Sequence, residues 1–192
     1  VTGFSMPWKI QQTVEHEIKF SIPPRFQLPP DMGEPIPPRV FTSTYFDTAH
    51  HRLGQLGLTL RKRVEHSRGL WQLKIPSGAA RLELEIDSGS RDIPWEFYDL
   101  LTAFFRKQAA VQLGKLRTKR IGIHVLNENR VIAEVVQDSV AFMRDKKVIH
   151  TFREIEVELQ EGTETQLKSI RKILIHAGAQ EKPLQAKIFQ AL

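Results

Sequence analysis

Residues 153–159 read Arg-Glu-Ile-Glu-Val-Glu-Leu, so Glu154, Glu156 and Glu158 alternate with Ile155, Val157 and Leu159. Successive side chains of an extended chain point to opposite faces, so this is a strand with one apolar face and one carboxylate face. Like charges at neighbouring positions of one face repel. Such a strand needs a fold that brings it a compensating charge. The chain carries the same alternation near its start, where Glu15, Glu17 and Lys19 oppose His16, Ile18 and Phe20. It recurs with basic side chains: Thr59, Arg61 and Arg63 share a face opposite Leu58, Leu60, Lys62 and Val64. Gln72 and Lys74 oppose Trp71, Leu73 and Ile75, and Arg81, Glu83 and Glu85 oppose Leu82, Leu84 and Ile86.

Two architectures produce such strands. In a one-sided sheet the charged faces look at water. In a closed barrel the apolar faces pack outward against helices and the charged faces line a lumen. Whole faces made almost purely of glutamate or of arginine and lysine favour the barrel. Divalent cations would compensate the carboxylates there, and a polyphosphate would compensate the bases.

Strands are expected at 14–20, 40–46, 57–65, 70–76, 80–87, 116–125, 131–142 and 148–160. Residues 23–38 hold seven prolines and read as a stiff loop, because proline lacks the donor a central strand needs. A helix over 94–107 would present Trp95, Tyr98, Leu101 and Phe105. Another over 164–177 has Thr163 and Gln166 as a capping box, a stripe of Leu167, Ile170, Leu174 and Ala177, and Gly178 as its stop. Strands with a few helices imply an α+β domain on an antiparallel sheet. We expect one domain over 13–190, with 1–12 as a lead-in.

The chain of 192 residues carries a net charge of +6 and no cysteine. The charge suits a polyanionic partner. Lack of cysteine excludes disulfides and thiolate metal sites and fits a reducing cytosol. No apolar run approaches the ~18 residues of a membrane span. With no signal-like start, a cytoplasmic protein is expected. Nucleic acid is a poor candidate, because the bases sit among acids on alternating faces and not in one exposed stripe. No glycine loop with a phosphate-binding lysine occurs. His16, His50 and His51 form no spaced metal set, Asp47 reads as a turn or helix cap, and Trp8 and Trp95 read as packing residues.

In order along the chain, these segments resemble the CYTH family, also called triphosphate tunnel metalloenzymes. The likeness starts at Glu15-x-Glu17-x-Lys19 and continues through Tyr45-Phe-Asp-Thr48, Leu58-Thr-Leu-Arg-Lys-Arg63 and Trp71-Gln-Leu-Lys74. It runs on through Arg81/Glu83/Glu85, Arg117-Thr-Lys-Arg120, Ala133-Glu-Val-Val-Gln-Asp138, Phe152 to Leu159, and Lys187. The resemblance implies an eight-stranded antiparallel β-barrel tunnel, helices packed outside, that binds triphosphates with Mg²⁺ or Mn²⁺. It is nearest in style to bacterial members often fused to a helical CHAD domain. No CHAD region is present, so the chain is expected either to stand alone or to be an excised domain.

The resemblance assigns roles. Lys19, Arg61, Arg63, Lys74, Arg81, Arg117, Arg120 and Lys187 would hold phosphate, arginine as a planar fork and lysine as a point charge. Arg117 and Arg120 differ in parity, so a regular strand turns only one inward; Arg117 is preferred unless a bulge admits both. Glu15, Glu17, Glu156 and Glu158, with Glu154 as a further candidate, would take the metal through hard oxygen ligands. Glu17, Lys74 and Glu156 would stand at the chemistry, with Glu83, Glu85, Glu134 and Asp138 as supporting acids. The expected reaction is hydrolysis of a triphosphate, foremost inorganic triphosphate to pyrophosphate and phosphate. Alternatives are a class IV type adenylate cyclase, a thiamine triphosphate hydrolase, or a non-catalytic polyphosphate- or nucleotide-binding module.

Overall fold

The computed structural model describes residues 10–191; Trp8 and most of the expected lead-in lie outside them. Nine strands and three helices follow in chain order: β1 Gln11–Ser21, β2 Glu34–Thr48, α1 Arg52–Gln55, β3 Thr59–Glu65, β4 Arg68–Ser77, β5 Ala80–Asp87, α2 Trp95–Phe105, β6 Ala110–Asn127, β7 Arg130–Arg144, β8 Lys147–Leu159, α3 Glu164–His176 and β9 Gln180–Lys182. The sheet order is β5-β4-β3-β2-β6-β7-β8-β1-β9, and β5 also pairs with β1. The first eight strands therefore close into an antiparallel barrel, with β9 outside it, as the expected fold class requires. No helix among the described residues is long and apolar enough to cross a membrane.

By compactness the chain divides into two units. One comprises Thr44–Leu113 and the stretch ending at Val14; the other comprises Glu15–Ser43 and the stretch beginning at Gly114.

In the first unit, β3, β4 and β5 pair in register, with Leu60 opposite Leu73 and Leu73 opposite Leu84. The apolar face made by Leu60, Trp71, Leu73, Leu84 and Ile86 is buried with Phe97, Leu101 and Phe105 of α2 and with Leu53 of α1. Each such side chain contributes ~1.5–3 kcal/mol by leaving water. The buried stripe of α2 is thus Phe97, Leu101 and Phe105, and the expected Trp95 and Tyr98 lie off it, at 64% and 49% exposure. Trp95 therefore lies outside the buried core of this unit. A helix with aromatic residues around its circumference offers two candidate stripes, and the one four residues apart wins.

The short helix α1 escapes the periodicity because it is a single turn. Asp47 builds it: its carboxylate, in a residue 1% exposed, accepts the backbone N–H groups of Thr48, Leu53 and Gly54 at 2.6, 2.9 and 2.9 Å. The cap expected from sequence is real. Asp47→Ala should cost about 2 kcal/mol, the upper range for a lost cap, read as a lowered urea midpoint.

In the second unit, α3 buries Leu167, Ile170 and Leu174 against Ile123, Val135, Ile155 and Val157 of β6, β7 and β8. Its capping box is complete, with Gln166 N–H donating to Thr163 Oγ1 (3.3 Å) and Thr163 N–H to Gln166 Oε1 (2.8 Å). Gly178, at φ +100°, ends it in a backbone region glycine enters without strain. Ala177 of the expected stripe is exposed, while Ala179 is buried. The proline-rich stretch is only partly a loop, because β2 begins at Glu34 and runs through Pro35, Pro37 and Pro38. These prolines occupy the first five residues of a 15-residue strand. Missing donors cost least at such a strand end.

Candidate active site

Each unit presents one charged strand face, opposite the face that packs on its helix. In the second unit that face forms a grid. Cross-strand rows run Glu17–Glu158–Glu134–His124, Lys19–Glu156–Val136–Gly122 and Ser21–Glu154–Asp138–Arg120 over β1, β8, β7 and β6. Alternation places these residues on one face, and antiparallel register stacks carboxylate beside carboxylate.

Four cations compensate them, two from the rows themselves and two from beyond β8. Arg120 grips Asp138 with both prongs, Nε to Oδ1 and Nη2 to Oδ2 at 2.8 Å each, and Nη2 also reaches Glu156 Oε2 at 2.8 Å. Its guanidinium carbon lies 5.3 Å from the centre of the Phe41 ring, a further favourable surface for a planar cation. Lys19 Nζ donates to Glu156 Oε1 at 2.5 Å and stands 4.0 Å from Glu17. Lys187 comes from a single 3₁₀ turn, Lys187–Gln190. Its Nζ meets Asp138 Oδ2 at 3.1 Å, Glu154 Oε1 at 2.7 Å and Glu156 Oε1 at 2.6 Å. The contact to Glu154 Oε1 is an ion pair without hydrogen-bond alignment. Lys182 of β9 donates to Glu154 Oε2, which also accepts from Gln190 Nε2 at 3.0 Å.

Burial works to raise the carboxyl pKa values of this cluster, but the surrounding cations outweigh it. Lys187 and Arg120 hold Asp138 below the ordinary aspartate value, and Lys187 with Lys19 lowers Glu154 and, more strongly, Glu156. Burial works to lower Lys187 and Arg120, yet Glu156 and Asp138 for the lysine, and Asp138 and Glu156 for the arginine, raise both above their usual values. The sign follows by linkage. Depressed carboxyls contribute stability that is complete above the unfolded values near ~4 and is lost as pH falls through the lower folded values. The raised lysine contributes stability that is complete below its unfolded value near ~10.4 and is lost only at higher pH. The urea midpoint should therefore be flat from about pH 5 to 9 and fall steeply below about pH 4; a midpoint that rises on acidification would refute the cage.

The charged face of the first unit is richer in bases. Arg61, Arg63, Gln72, Lys74, Arg81, Glu83 and Glu85 share it by register. Gln72 is its hub: Oε1 accepts from Arg61 Nε at 2.8 Å, and Nε2 donates to Glu83 and Glu85 at 2.5 Å each. Lys74 Nζ stands 3.0 Å from Glu83, and Tyr45 OH lies 3.4 Å from Arg61 Nη1.

The preference between the two arginines of β6 reverses. Arg120 is buried on the charged face, while Arg117 is exposed on the other. Against β7 the register runs unbroken from Lys115 to Val125, so no bulge on that side brings Arg117 round. Sequence reasoning also missed Gln72 as a bridge, Tyr45, Lys182 and Gln190. Gln72 shares the parity of Lys74, which was its available signal; Lys182 sits on a three-residue strand that has none.

A divalent cation is implied by the likeness, and the donor set fits one. Asp138, Glu154 and Glu156 each offer a carboxylate oxygen, all within 4.8 Å of one another, and hard oxygen ligands suit Mg²⁺ or Mn²⁺. The Lys187 ammonium now supplies positive charge to these same three groups.

The pattern of the CYTH domain family matches residues 14–185. Solved structures of the same fold include a candidate adenylate cyclase from Bacillus halodurans (TM-score 0.69, 19% identity, 93% of this chain and 97% of that one). A Pyrococcus horikoshii protein aligns at TM-score 0.59 and 14% identity over 91% and 97%. A protein from Hippeastrum aligns at 0.52 and 17% over 92% and 95%; it is described as a candidate adenylyl cyclase with a dominant triphosphatase activity. No curated protein matches the chain. With the closed eight-stranded sheet, the charged strand faces and a family match over most of its length, this chain belongs to the CYTH domain family.

Proposed function

We propose that this chain is a metal-dependent triphosphatase that cleaves inorganic triphosphate to pyrophosphate and phosphate. The observation that carries the reading is the division of charge between two strand faces. On β3–β5, Arg61, Arg63, Lys74 and Arg81 outnumber Glu83 and Glu85. On β1, β8 and β7 carboxylates dominate: Glu17, Glu158 and Glu134 share one cross-strand row, Glu154 and Asp138 another, Glu156 lies between them on β8, and Glu15 is buried on β1. A triphosphate needs the first kind of surface, and a divalent ion the second.

Glu15, Glu17, Glu156 and Glu158, with Glu154 and Asp138 alongside, would hold Mg²⁺ or Mn²⁺. Bound there, the ion would neutralise phosphate oxygens and acidify a water. Arg61, oriented by Gln72, would meet a phosphate with its planar fork, while Lys74, steadied by Glu83, would provide a point charge for the transferred phosphoryl group. Arg63, Arg81, Lys19, Arg120 and Lys187 complete the basic set. Asp138 and Glu154 keep Lys187 charged and fixed. Hydrolysis forms one bond from water oxygen to the terminal phosphorus and breaks the bridging P–O bond, releasing a proton. Positioned charge is the main catalytic resource for such a transfer.

An adenylate cyclase is the second reading, favoured by the description of the Bacillus halodurans and Hippeastrum proteins as candidate cyclases; the activity stated for the latter supports the first. Phosphate release from inorganic triphosphate, ATP and pyrophosphate, with Mg²⁺, Mn²⁺ or EDTA, separates them. Metal-dependent cleavage of triphosphate is the expected result. Cyclic AMP from ATP would establish the cyclase, and tight triphosphate binding without turnover would leave a binding module.

A further inference from the structure

The apolar sides of β6, β7 and β8 are covered by α3 over only half their length. Ile123, Val135, Ile155 and Val157 lie under the helix. Farther along the same side, three cross-strand rows continue as Lys119–Ser139–Arg153, Arg117–Ala141–Thr151 and Lys115–Met143–Val148. No described helix packs on these rows, and Val148 is 56% exposed. A groove of about 650 Å³ lies here, floored by Ala141, Met143 and Val148 and walled by Ile22 and Pro24.

Its border is a column of cations. Lys115, Arg117 and Lys119 are exposed and, among the described residues, make no ion pair or side-chain hydrogen bond. Alternate positions of a strand repeat every ~6.6–6.8 Å. Arg153, on the opposite side of the floor, donates to the carbonyls of Pro24 and Phe26 and so fixes the groove wall.

We propose that this half-face docks an amphipathic helix of a partner protein whose apolar stripe is flanked by acids. Three features select that occupant. An exposed sheet surface with an apolar floor is completed by a helix, as α3 completes the other half. The unpaired column demands negative charge, and acids four residues apart on a helix repeat every ~6 Å, near the spacing of the cations. A second copy of this chain, with net charge +6, would set like charges together. A bare polyanion would leave the apolar floor unused.

The test uses a fluorescein-labelled synthetic helix of about 18 residues, long enough for five turns, with a leucine stripe and a glutamate flank. A scrambled peptide of the same composition is the control. Fluorescence anisotropy should show at least tenfold tighter binding of the amphipathic peptide, and amide NMR shifts should fall on Lys119, Ser139, Ala141 and Thr151. Lys115→Glu/Lys119→Glu, and separately Ala141→Glu, should each weaken binding at least tenfold with unchanged far-UV circular dichroism. Equal binding of the scrambled peptide, shifts elsewhere, or indifference to both variants overturns the proposal. So does inorganic polyphosphate moving these amides when the helix does not, which would give the face to polyanions. Concentration-dependent sedimentation that both variants abolish would give it to a second copy and overturn the proposal equally.

Discussion

Asp138→Ala should lower the unfolding free energy by about 3–5 kcal/mol, the cost of removing one partner from a buried ion pair. Asp138 has no exposed side-chain surface and accepts from Arg120 on both oxygens while facing Lys187 at 3.1 Å. Alanine leaves two buried cations facing a void, with Glu154 and Glu156 already shared by Lys19 and Lys182. For a chain of this size the melting temperature should fall by roughly 10 °C. Asp87→Ala supplies the contrast. Its pair with Arg68 at 2.6 Å joins side chains 61% and 80% exposed, and such surface pairs contribute at most about 1 kcal/mol. Calorimetry on both variants checks the argument. Similar small shifts would mean that the cage is solvated.

Glu17→Gln should cut metal-dependent phosphate release by on the order of 10²-fold or more, since the change keeps the shape but removes a charged oxygen ligand. A purely structural glutamate makes a different prediction, because its loss would appear in the melt and leave turnover at saturating metal untouched. Mn²⁺ titration followed by paramagnetic resonance gives the second readout. Weakened Mn²⁺ binding with an unchanged melt is the expected pair of results. Normal Mn²⁺ affinity would remove Glu17 from the metal set.

The alternation of charge in 15–19, 59–63, 72–74, 81–85 and 154–158 is enough to read which residues share a face, because a strand has a period of two and no other choice. Phase is harder. On β6 the even positions hold Leu116, Thr118 and Arg120 and the odd ones Lys115, Arg117 and Lys119, so neither set is plainly apolar. What separates them is tertiary: Asp138 stands opposite Arg120 across the β6–β7 ladder and supplies its carboxylate. Lys187 is legible only through family likeness, since a single 3₁₀ turn has no periodicity to announce where its side chains point. The prolines misled for a similar reason. Their cost depends on whether a neighbouring strand asks for the missing donor, and one chain read alone does not say.

The ion cage also orders events in time. Lys19 precedes its partner Glu156 by 137 residues, and Lys187 follows every carboxylate that it holds. During synthesis the last of its cations to leave the ribosome is the one that touches three acids. Such long-range closure is intrinsically slow. The cage is therefore complete only once the 3₁₀ turn carrying Lys187 docks, as the last of its parts to be made.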